Sequence, residues 1–299
     1  MIIYKYRGIL FALLSAASFA LNLVLASISY EFGANVHALN VSRSSCFLAL
    51  LLVLVIKRSN IRELASARIL MPGIVGIFLT LEMYALLVSI QLIPVAISVL
   101  VFYVYPIIIA LFGWTVGRQT FKPQQFVYLL VAVFGIGMIL TNGLQGAAIE
   151  GVMFAGIAAF GMAAMLLCSE HFLAKTDQYI VMFVSLLTAT IIIIAISTLW
   201  FELHWPTTFI GVLAFCGSAL FYVLATLFLF KAVGLIGPLR TAIIDNSAPV
   251  WAGLFGYILL GETLTLQQLV GISIVVSAIL LLQLTISKPN ESATDNPIP

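Results

Sequence analysis

The chain has 299 residues, of which 63% are hydrophobic and only 8% are charged. Its net charge of +2 does not favour nucleic-acid binding, and no cluster of Lys and Arg alternates with aromatic residues. A soluble domain needs more polar side chains than this to cover its water-facing surface, so the composition predicts an all-α integral membrane protein.

Apolar runs separated by short polar breaks predict ten transmembrane helices, because a hydrocarbon core of about 30 Å needs about 20 apolar residues per helix. The predicted spans cover residues 8–28, 38–56, 69–90, 94–116, 123–141, 151–172, 179–201, 206–230, 236–260 and 265–286. We place Pro94, Pro123 and Pro206 in the first turns of their helices, where the missing N–H costs nothing.

The charged residues at the ends of the spans predict which side of the membrane each loop faces. With a cytoplasmic amino terminus, twelve of the 13 Lys and Arg residues fall on the cytoplasmic side, and Arg43 is the exception. The opposite side carries Glu31, Glu150, Glu202 and Glu262 and neither Lys nor Arg. This distribution follows the positive-inside rule and predicts that both the N and the C terminus are cytoplasmic.

The chain repeats itself, without a gap, at a fixed offset of 143 residues. Matching positions include Gly8 and Gly151, Ala12 and Ala155, Pro106 and Pro249, Gly113 and Gly256, and Gln125 and Gln268. Because each copy has five spans, the second copy must enter the membrane from the other side, which predicts two inverted five-helix repeats and alternating access. The predicted division is a cytoplasmic N-terminal segment at 1–7, repeats at 8–141 and 151–286, an external linker at 142–150 and a disordered cytoplasmic tail at 287–299.

A stripe of small residues recurs every four positions in the first and sixth spans. It comprises Gly8, Ala12, Ala16 and Ala20 in one copy and Gly151, Ala155, Ala159 and Ala163 in the other. Small residues let helix backbones approach closely, so the stripe predicts tight helix packing, with sliding between the repeats as a compatible function.

The end of the ninth span carries the most specific motif. It reads Ala248-Pro249-Val250-Trp251-Ala252-Gly253-Leu254-Phe255-Gly256 and continues to Leu260-Gly261-Glu262-Thr263-Leu264, with Gln268 and Gly271 beyond. This resembles the P…G…LGE ending of the EamA-type branch of the drug/metabolite transporter superfamily, and the similarity covers about residues 8 to 285 as two EamA units. The first copy departs from it, with Gly117-Arg118-Gln119 where the second has Leu260-Gly261-Glu262. The resemblance implies a secondary transporter of the bacterial inner membrane, with a central cavity for amino acids, their derivatives or related metabolites.

Two prolines predict where a substrate binds. Pro106 and Pro249 lie near the midplane of the fourth and ninth spans, one in each copy. Proline frees the carbonyl group four residues earlier, here those of Phe102 and Asp245, and kinks the helix. Paired kinks at equivalent depth predict a binding site between the repeats, and the alternative is that both bends only shape the bundle.

Three charged residues are predicted deep inside spans, where each costs about 2.5 to 3.5 kcal/mol and is therefore interpreted as functional. They are Arg43, Glu82 and Asp245. Arg43 and Glu82 differ in predicted depth by about 4 Å, so one interpretation is a structural ion pair. In the other interpretation Arg43 binds a substrate carboxylate, and Glu82 or Asp245 binds an amine or a proton that couples transport to a proton gradient.

Polar and amphipathic side chains in mid-span complete the predicted substrate-binding set. With Phe102 they are Asn22, Tyr84, Tyr103, Tyr222, Asn246 and Trp251. Each of them is as compatible with helix packing as with a hydrogen bond to a substrate. We expect no cofactor and no metal, because the three His residues are scattered over both membrane faces without metal-ligand spacing.

The predicted function is transport of an amino acid or an amino-acid derivative by alternating access, with efflux favoured over import. Import of a bulkier metabolite, such as S-adenosylmethionine or a nucleotide-linked sugar, is the alternative within this class. A membrane-embedded enzyme and a non-transporting receptor or scaffold are alternatives of other classes, and no HExxH, GxSxG or GxxxxGK motif supports an enzyme. The expected partners are a small-molecule substrate, the lipid bilayer and, in the coupled case, a proton, and the protein is expected to be a monomer or a homodimer.

Overall fold

The computed structural model describes residues 2–58, 72–115, 124, 127–128, 130–132, 134–135, 147–173, 178–236, 241, 244–263 and 265–286. The regular elements in these ranges are all helical. They are α1 (Ile2–Glu31), α2 (Val36–Arg58), α3 (Gly73–Leu92), α4 (Val95–Phe102), α5 (Tyr105–Thr115), α6 (Ala147–Leu173), α7 (Gln178–Trp200), α8 (Phe209–Ile236), α9 (Ala248–Phe255), which continues into a π-helical turn (Gly256–Leu260), and α10 (Leu266–Ile286). Six of them, α1, α2, α3, α6, α7 and α8, are long and apolar enough to cross a membrane.

Most predicted spans coincide with one helix. Two exceptions are the fourth and ninth spans, which are interrupted. The fifth span lies largely outside the described residues, and Pro123 and the tail at 287–299 lie wholly outside them. α1 already begins at Ile2, so residues before Gly8 continue the first helix, and α6 begins at Ala147, within the predicted linker.

The prediction that Pro206 lies in the first turn of a helix is wrong. α8 begins only at Phe209, and Pro206 lies in an irregular loop of residues 202–207. The reason is a local cap: Oγ1 of Thr208 accepts a hydrogen bond of 3.1 Å from the backbone N–H of Gly211, so Thr208 is the N-cap and the helix starts after it. The loop before the cap is held by a tertiary contact, in which the backbone N–H of Thr207 donates a hydrogen bond of 3.0 Å to the carbonyl oxygen of Phe32.

The two repeats make equivalent helix contacts. A Cβ atom added at Gly8 would meet the side chains of Ile236 and Leu235. A Cβ atom added at Gly151 would meet those of Ile93 and Leu92. Every residue of one set is 143 positions from its counterpart in the other, so α1 packs against α8 as α6 packs against α3. The other members of both small-residue stripes are buried, which agrees with the close packing predicted for them.

Both repeats also interrupt one span at the same repeat position. The fourth span is broken by a turn at 103–104, between α4 and α5, and the ninth span by a turn at 246–247, immediately before α9. The hydrogen bonds that follow the turns correspond as well: Ile107 N–H to the Val104 carbonyl at 2.9 Å, and Val250 N–H to the Ser247 carbonyl at 3.0 Å. Each break lies just before one of the two prolines predicted near the midplane, Pro106 and Pro249.

The loop at 32–35, between α1 and α2, is hydrogen-bonded to the loop at 202–207, between α7 and α8. The backbone N–H of Asn35 donates to the carbonyl oxygen of His204 at 3.1 Å, and its side-chain amide donates to the carbonyl oxygen of Glu202 at 2.7 Å. The two loops belong to different repeats and to the side predicted to be external. They therefore join the repeats on that side of the bundle.

Candidate functional site

Side chains from the two interrupted spans meet at the breaks. The Tyr103 hydroxyl donates a hydrogen bond of 2.8 Å to Oδ2 of Asp245. Ser15 of α1 lies beside the same carboxylate. Tyr103 is only 3% exposed, and Oδ1 of Asp245 is buried without a hydrogen-bond partner. The breaks thus place a carboxylate with one unpartnered oxygen at the interface of the two repeats.

Aromatic rings pack around Tyr103, the residue that donates to this carboxylate. The ring of Phe102 stacks on Phe19 of α1 with centroids 5.8 Å apart, and Tyr105 lies 5.9 Å from the ring of Tyr103. Apolar surroundings of this kind exclude water, which strengthens any electrostatic interaction that Asp245 makes with a substrate group. The predicted residues Phe102, Tyr103 and Asp245 are therefore brought together.

Arg43 makes hydrogen bonds to uncharged groups and does not form the predicted ion pair with Glu82. It is 1% exposed, and no nitrogen of its guanidinium lies within 4.0 Å of a Glu82 carboxylate oxygen, so the predicted structural ion pair is not formed. Instead Nη2 donates to the carbonyl oxygen of Met83 at 2.9 Å, and Nε donates to Oδ1 of Asn40 at 3.1 Å. The guanidinium also lies 4.9 Å from the centroid of the Tyr222 ring, a cation–π distance. Arg43 and Glu82 interact only through space.

Unpartnered donors accompany Arg43 in this part of the bundle. Asn22 accepts a hydrogen bond of 2.9 Å from the Ser218 hydroxyl, but its Nδ2 has no partner. Nδ2 of Asn40 and the hydroxyl of Tyr30 are also buried without partners. An unsatisfied buried polar group costs about 1 to 3 kcal/mol. These groups are therefore places where water or a polar substrate group would bind favourably.

Of the three remaining predicted residues, Tyr84 lies away from the breaks, whereas Asn246 and Trp251 lie within or directly after the ninth-span break. Tyr84 hydrogen-bonds the hydroxyl of Ser197 and lies 3.5 Å from Nδ1 of His37, which places it next to the loop at 202–207 instead of at the breaks. Trp251 is half-buried in α9, and Asn246 is buried in the turn itself.

Glu262 makes a contact that the sequence analysis did not predict. Its Oε1 accepts a hydrogen bond of 3.0 Å from the backbone N–H of Val95, the first residue of α4. The first N–H groups of a helix have no partner within it, so a carboxylate there is favourable. Burial raises the pKa of the Glu262 carboxyl, and the Val95 hydrogen bond opposes that rise. The LGE motif marks Glu262, but its partner is 167 residues away in the other repeat.

Comparison with known proteins identifies the class of transporter. The model of the EamA-like transporter family matches residues 6–141 and 149–284, once in each repeat. The chain belongs to the EamA-like transporter family. This confirms the resemblance found in the LGE motif, and it makes the protein a multi-pass membrane transporter of a small molecule and not an enzyme.

Individual curated proteins are also similar to this chain. The threonine/homoserine exporter RhtA of Escherichia coli K12 is 28% identical over 217 residues, which cover 70% of this chain and 69% of that protein. An uncharacterized transporter of Synechocystis sp. is 26% identical over 216 residues, covering 69% of this chain. The match spans 64% of that relative, slightly less than two thirds of its length. These bacterial relatives indicate the inner membrane.

One solved crystal structure shares the fold. It matches with a TM-score of 0.64 and 16% sequence identity, covering 94% of this chain and 99% of that chain. At this identity the match concerns the arrangement of the helices alone. It extends over both EamA repeats.

Proposed function

We propose that this EamA-like transporter exports small amino acids by alternating access, and that Asp245 binds the amino group of the substrate. The observation that carries the proposal is the Tyr103–Asp245 hydrogen bond at two equivalent helix breaks. Interrupted helices near the midplane are where many secondary transporters bind their substrates. The similarity to RhtA favours export over import and a substrate of the size of threonine or homoserine.

The proposed architecture has ten spans in two repeats of opposite orientation, with both termini cytoplasmic. The equivalent packing of Gly8 and Gly151 supports a two-fold relation between the repeats. The charges at the ends of the spans support the orientation. In this arrangement the paired loops at 32–35 and 202–207 close the external face, and substrate release requires their hydrogen bonds to break.

Arg43 is proposed to bind the substrate carboxylate. Among the described residues, no carboxylate oxygen lies within 4.0 Å of the guanidinium, and Nδ2 of the adjacent Asn40 has no partner. A buried guanidinium without a contacting anion is unfavourable, and its planar fork suits a carboxylate. Binding the substrate here would supply the missing anion and the missing acceptor together.

Proton coupling is the second part of the proposal. Glu82 and Asp245 are carboxylates buried within spans, and such groups commonly carry protons in transporters. If Asp245 exchanges the substrate amine for a proton, an inward proton gradient drives export. Proton coupling would be contradicted if the efflux rate did not change with an imposed pH gradient and Glu82→Gln transported as the wild type does.

The test is counterflow in proteoliposomes loaded with radiolabelled threonine. Wild-type protein should show saturable exchange that is inhibited by homoserine but not by threoninol, which lacks the carboxylate, or by N-acetylthreonine, which lacks the free amine. Arg43→Gln should no longer discriminate between inhibitors with and without a carboxylate. Asp245→Asn should reduce the exchange rate at least about tenfold. Glu202→Gln, on an exposed side chain, is the matched control.

Undiminished counterflow by Asp245→Asn would contradict the assignment of the amine to that residue. If only Glu82→Gln lost counterflow, Glu82 and not Asp245 would be assigned as the residue that binds the substrate amine. A competitor panel that includes S-adenosylmethionine and nucleotide-linked sugars tests the bulkier substrates, and inhibition by these alone would overturn the amino-acid proposal.

A further inference from the structure

Helix α4 is held at both ends by carboxylates of the second repeat. At its N-terminus the N–H of Val95 donates to Oε1 of Glu262, and just past its C-terminus Tyr103 donates to Oδ2 of Asp245. All eight residues of α4 are buried. The position of this short helix, and with it that of Tyr103, therefore depends on both contacts.

We propose that Glu262 is a positioning residue that latches the N-terminus of α4 while the predicted external face is closed. The latch keeps Tyr103 at Asp245, and opening of that face requires Glu262 to leave Val95. This inference rests on the proposed alternating access, but not on the identity of the substrate. It assigns Glu262 no contact with the substrate.

The local structure makes Glu262 suited to a latch that opens. Gly261 adopts a left-handed conformation with φ of 68°, which glycine allows, and so turns the chain back after the π-helical turn. The side chain of Glu262 then lies over Gly256, where a Cβ atom would come within 2.5 Å of Oε2. Only Oε1 is engaged, since Oε2 is buried without a hydrogen-bond partner. Release therefore breaks one hydrogen bond.

The repeat indicates which substitution should preserve the latch. The position equivalent to Glu262 in the first copy is Gln119, 143 residues earlier. A glutamine retains a side-chain oxygen that accepts from a helix N-terminal N–H, as in capping boxes. Glu262→Gln is therefore expected to keep the contact with Val95, and Glu262→Ala to lose it.

The experiment measures the accessibility of α4. In protein whose three native cysteines are replaced by alanine, Ser98→Cys introduces a thiol on α4, one turn after Val95, at a fully buried position. A membrane-impermeant maleimide is added to either side of proteoliposomes in turn. Labelling from the side of the loops 32–35 and 202–207 should be slow with Glu262 and with Glu262→Gln. It should be about fivefold faster with Glu262→Ala, as expected for the loss of one helix-capping hydrogen bond.

A second variant displaces the latch without removing it. Gly256→Ala keeps the carboxylate but fills the space that its side chain occupies, so it should accelerate labelling as Glu262→Ala does. Glu202→Ala, an exposed carboxylate near the same side, should have no effect. Unchanged labelling in both Glu262→Ala and Gly256→Ala would overturn the proposal, as would equally fast labelling of Glu262→Gln and Glu262→Ala. The assay needs no substrate, so its failure is distinct from failure of the proposed amino-acid transport.

Discussion

The hydroxyl of Tyr103 lies 2.8 Å from Oδ2 of Asp245, although the two residues are 142 positions apart. This hydrogen bond joins the break in the fourth span to the break in the ninth span. Under the repeat, the counterparts of this pair are Asn246 and Phe102, which cannot form the same bond because phenylalanine has no polar group. The contact is therefore made once, at one of two equivalent places.

Removing the Tyr103 hydroxyl should weaken substrate binding. A hydrogen bond to a charged group contributes about 1.5 to 3 kcal/mol, and Tyr103→Phe leaves both oxygens of Asp245 without it. We expect the half-saturating concentration of exported substrate to rise at least about tenfold. Tyr105→Phe is the control, because Tyr105 belongs to the same aromatic cluster but donates no hydrogen bond to Asp245. Equal effects of the two substitutions would contradict the role of the Tyr103 bond.

A methyl group at Gly151 should destabilise the helix pair α3 and α6. A Cβ atom there would lie 2.7 Å from Cγ2 of Ile93, closer than packed atoms allow, and overpacking typically costs about 1 to 3 kcal/mol. We expect Gly151→Ala to lower the melting temperature in detergent. Gly156→Ala on the same helix should not lower it, because no atom lies within 4 Å of the added Cβ and alanine favours the helix more than glycine does. Partial recovery in Gly151→Ala with Ile93→Ala would complete the test, and similar melting of both single variants would contradict it.

Asn35 is expected to stabilise the protein in two separable ways. Its Oδ1 accepts from the backbone N–H of Ala38, which caps α2, and its Nδ2 donates to the Glu202 carbonyl of the other repeat. Asn35→Ser keeps a capping oxygen and loses the donor, whereas Asn35→Ala loses both. Each contact is worth about 1 kcal/mol, so melting temperatures should fall in the order wild type, Asn35→Ser, Asn35→Ala. Asn35→Ser melting below Asn35→Ala would refute this order.

Stability should depend on pH through Glu262, which lies outside the predicted spans. Burial raises the pKa of its carboxyl above the ordinary value of 4.5. A carboxyl with a higher pKa in the folded than in the unfolded protein stabilises the fold when protonated, and this contribution is lost as pH rises from the unfolded towards the folded pKa. The melting temperature of wild type minus that of Glu262→Gln should therefore decrease as pH rises from about 4.5. A difference that stays constant with pH would contradict the shift.

Structural features that depend on residues close together in the sequence could be predicted from the sequence alone. Apolar runs predicted the helices to within a few residues, because membrane burial acts on composition. Pro106 and Pro249 pointed to the interrupted spans, since proline removes a hydrogen bond of its own helix. Pro206 led to a wrong boundary for α8, because Thr208 and not Pro206 caps that helix, through the hydrogen bond from Gly211 N–H to its Oγ1.

Contacts between distant helices could not be predicted in the same way. Residue spacing indicates the depth of Arg43 and Glu82 in the membrane but not the direction in which each side chain points. At matching depth, the guanidinium of Arg43 bonds to the carbonyl of Met83 and not to the carboxylate of Glu82. The capping of Val95 by Glu262 escaped prediction for a similar reason, because the motif identifies the residue and not its partner.

The single occurrence of the Tyr103–Asp245 bond has a consequence for the energy of the working cycle. Two copies of one backbone, exchanging shapes, would have end states of equal free energy if their side chains were also copied. In the proposed cycle the contact that joins the two repeats has no such copy, so the two end states differ in free energy. The carrier then has a preferred resting conformation, while the direction of net transport is set by the gradients that drive it.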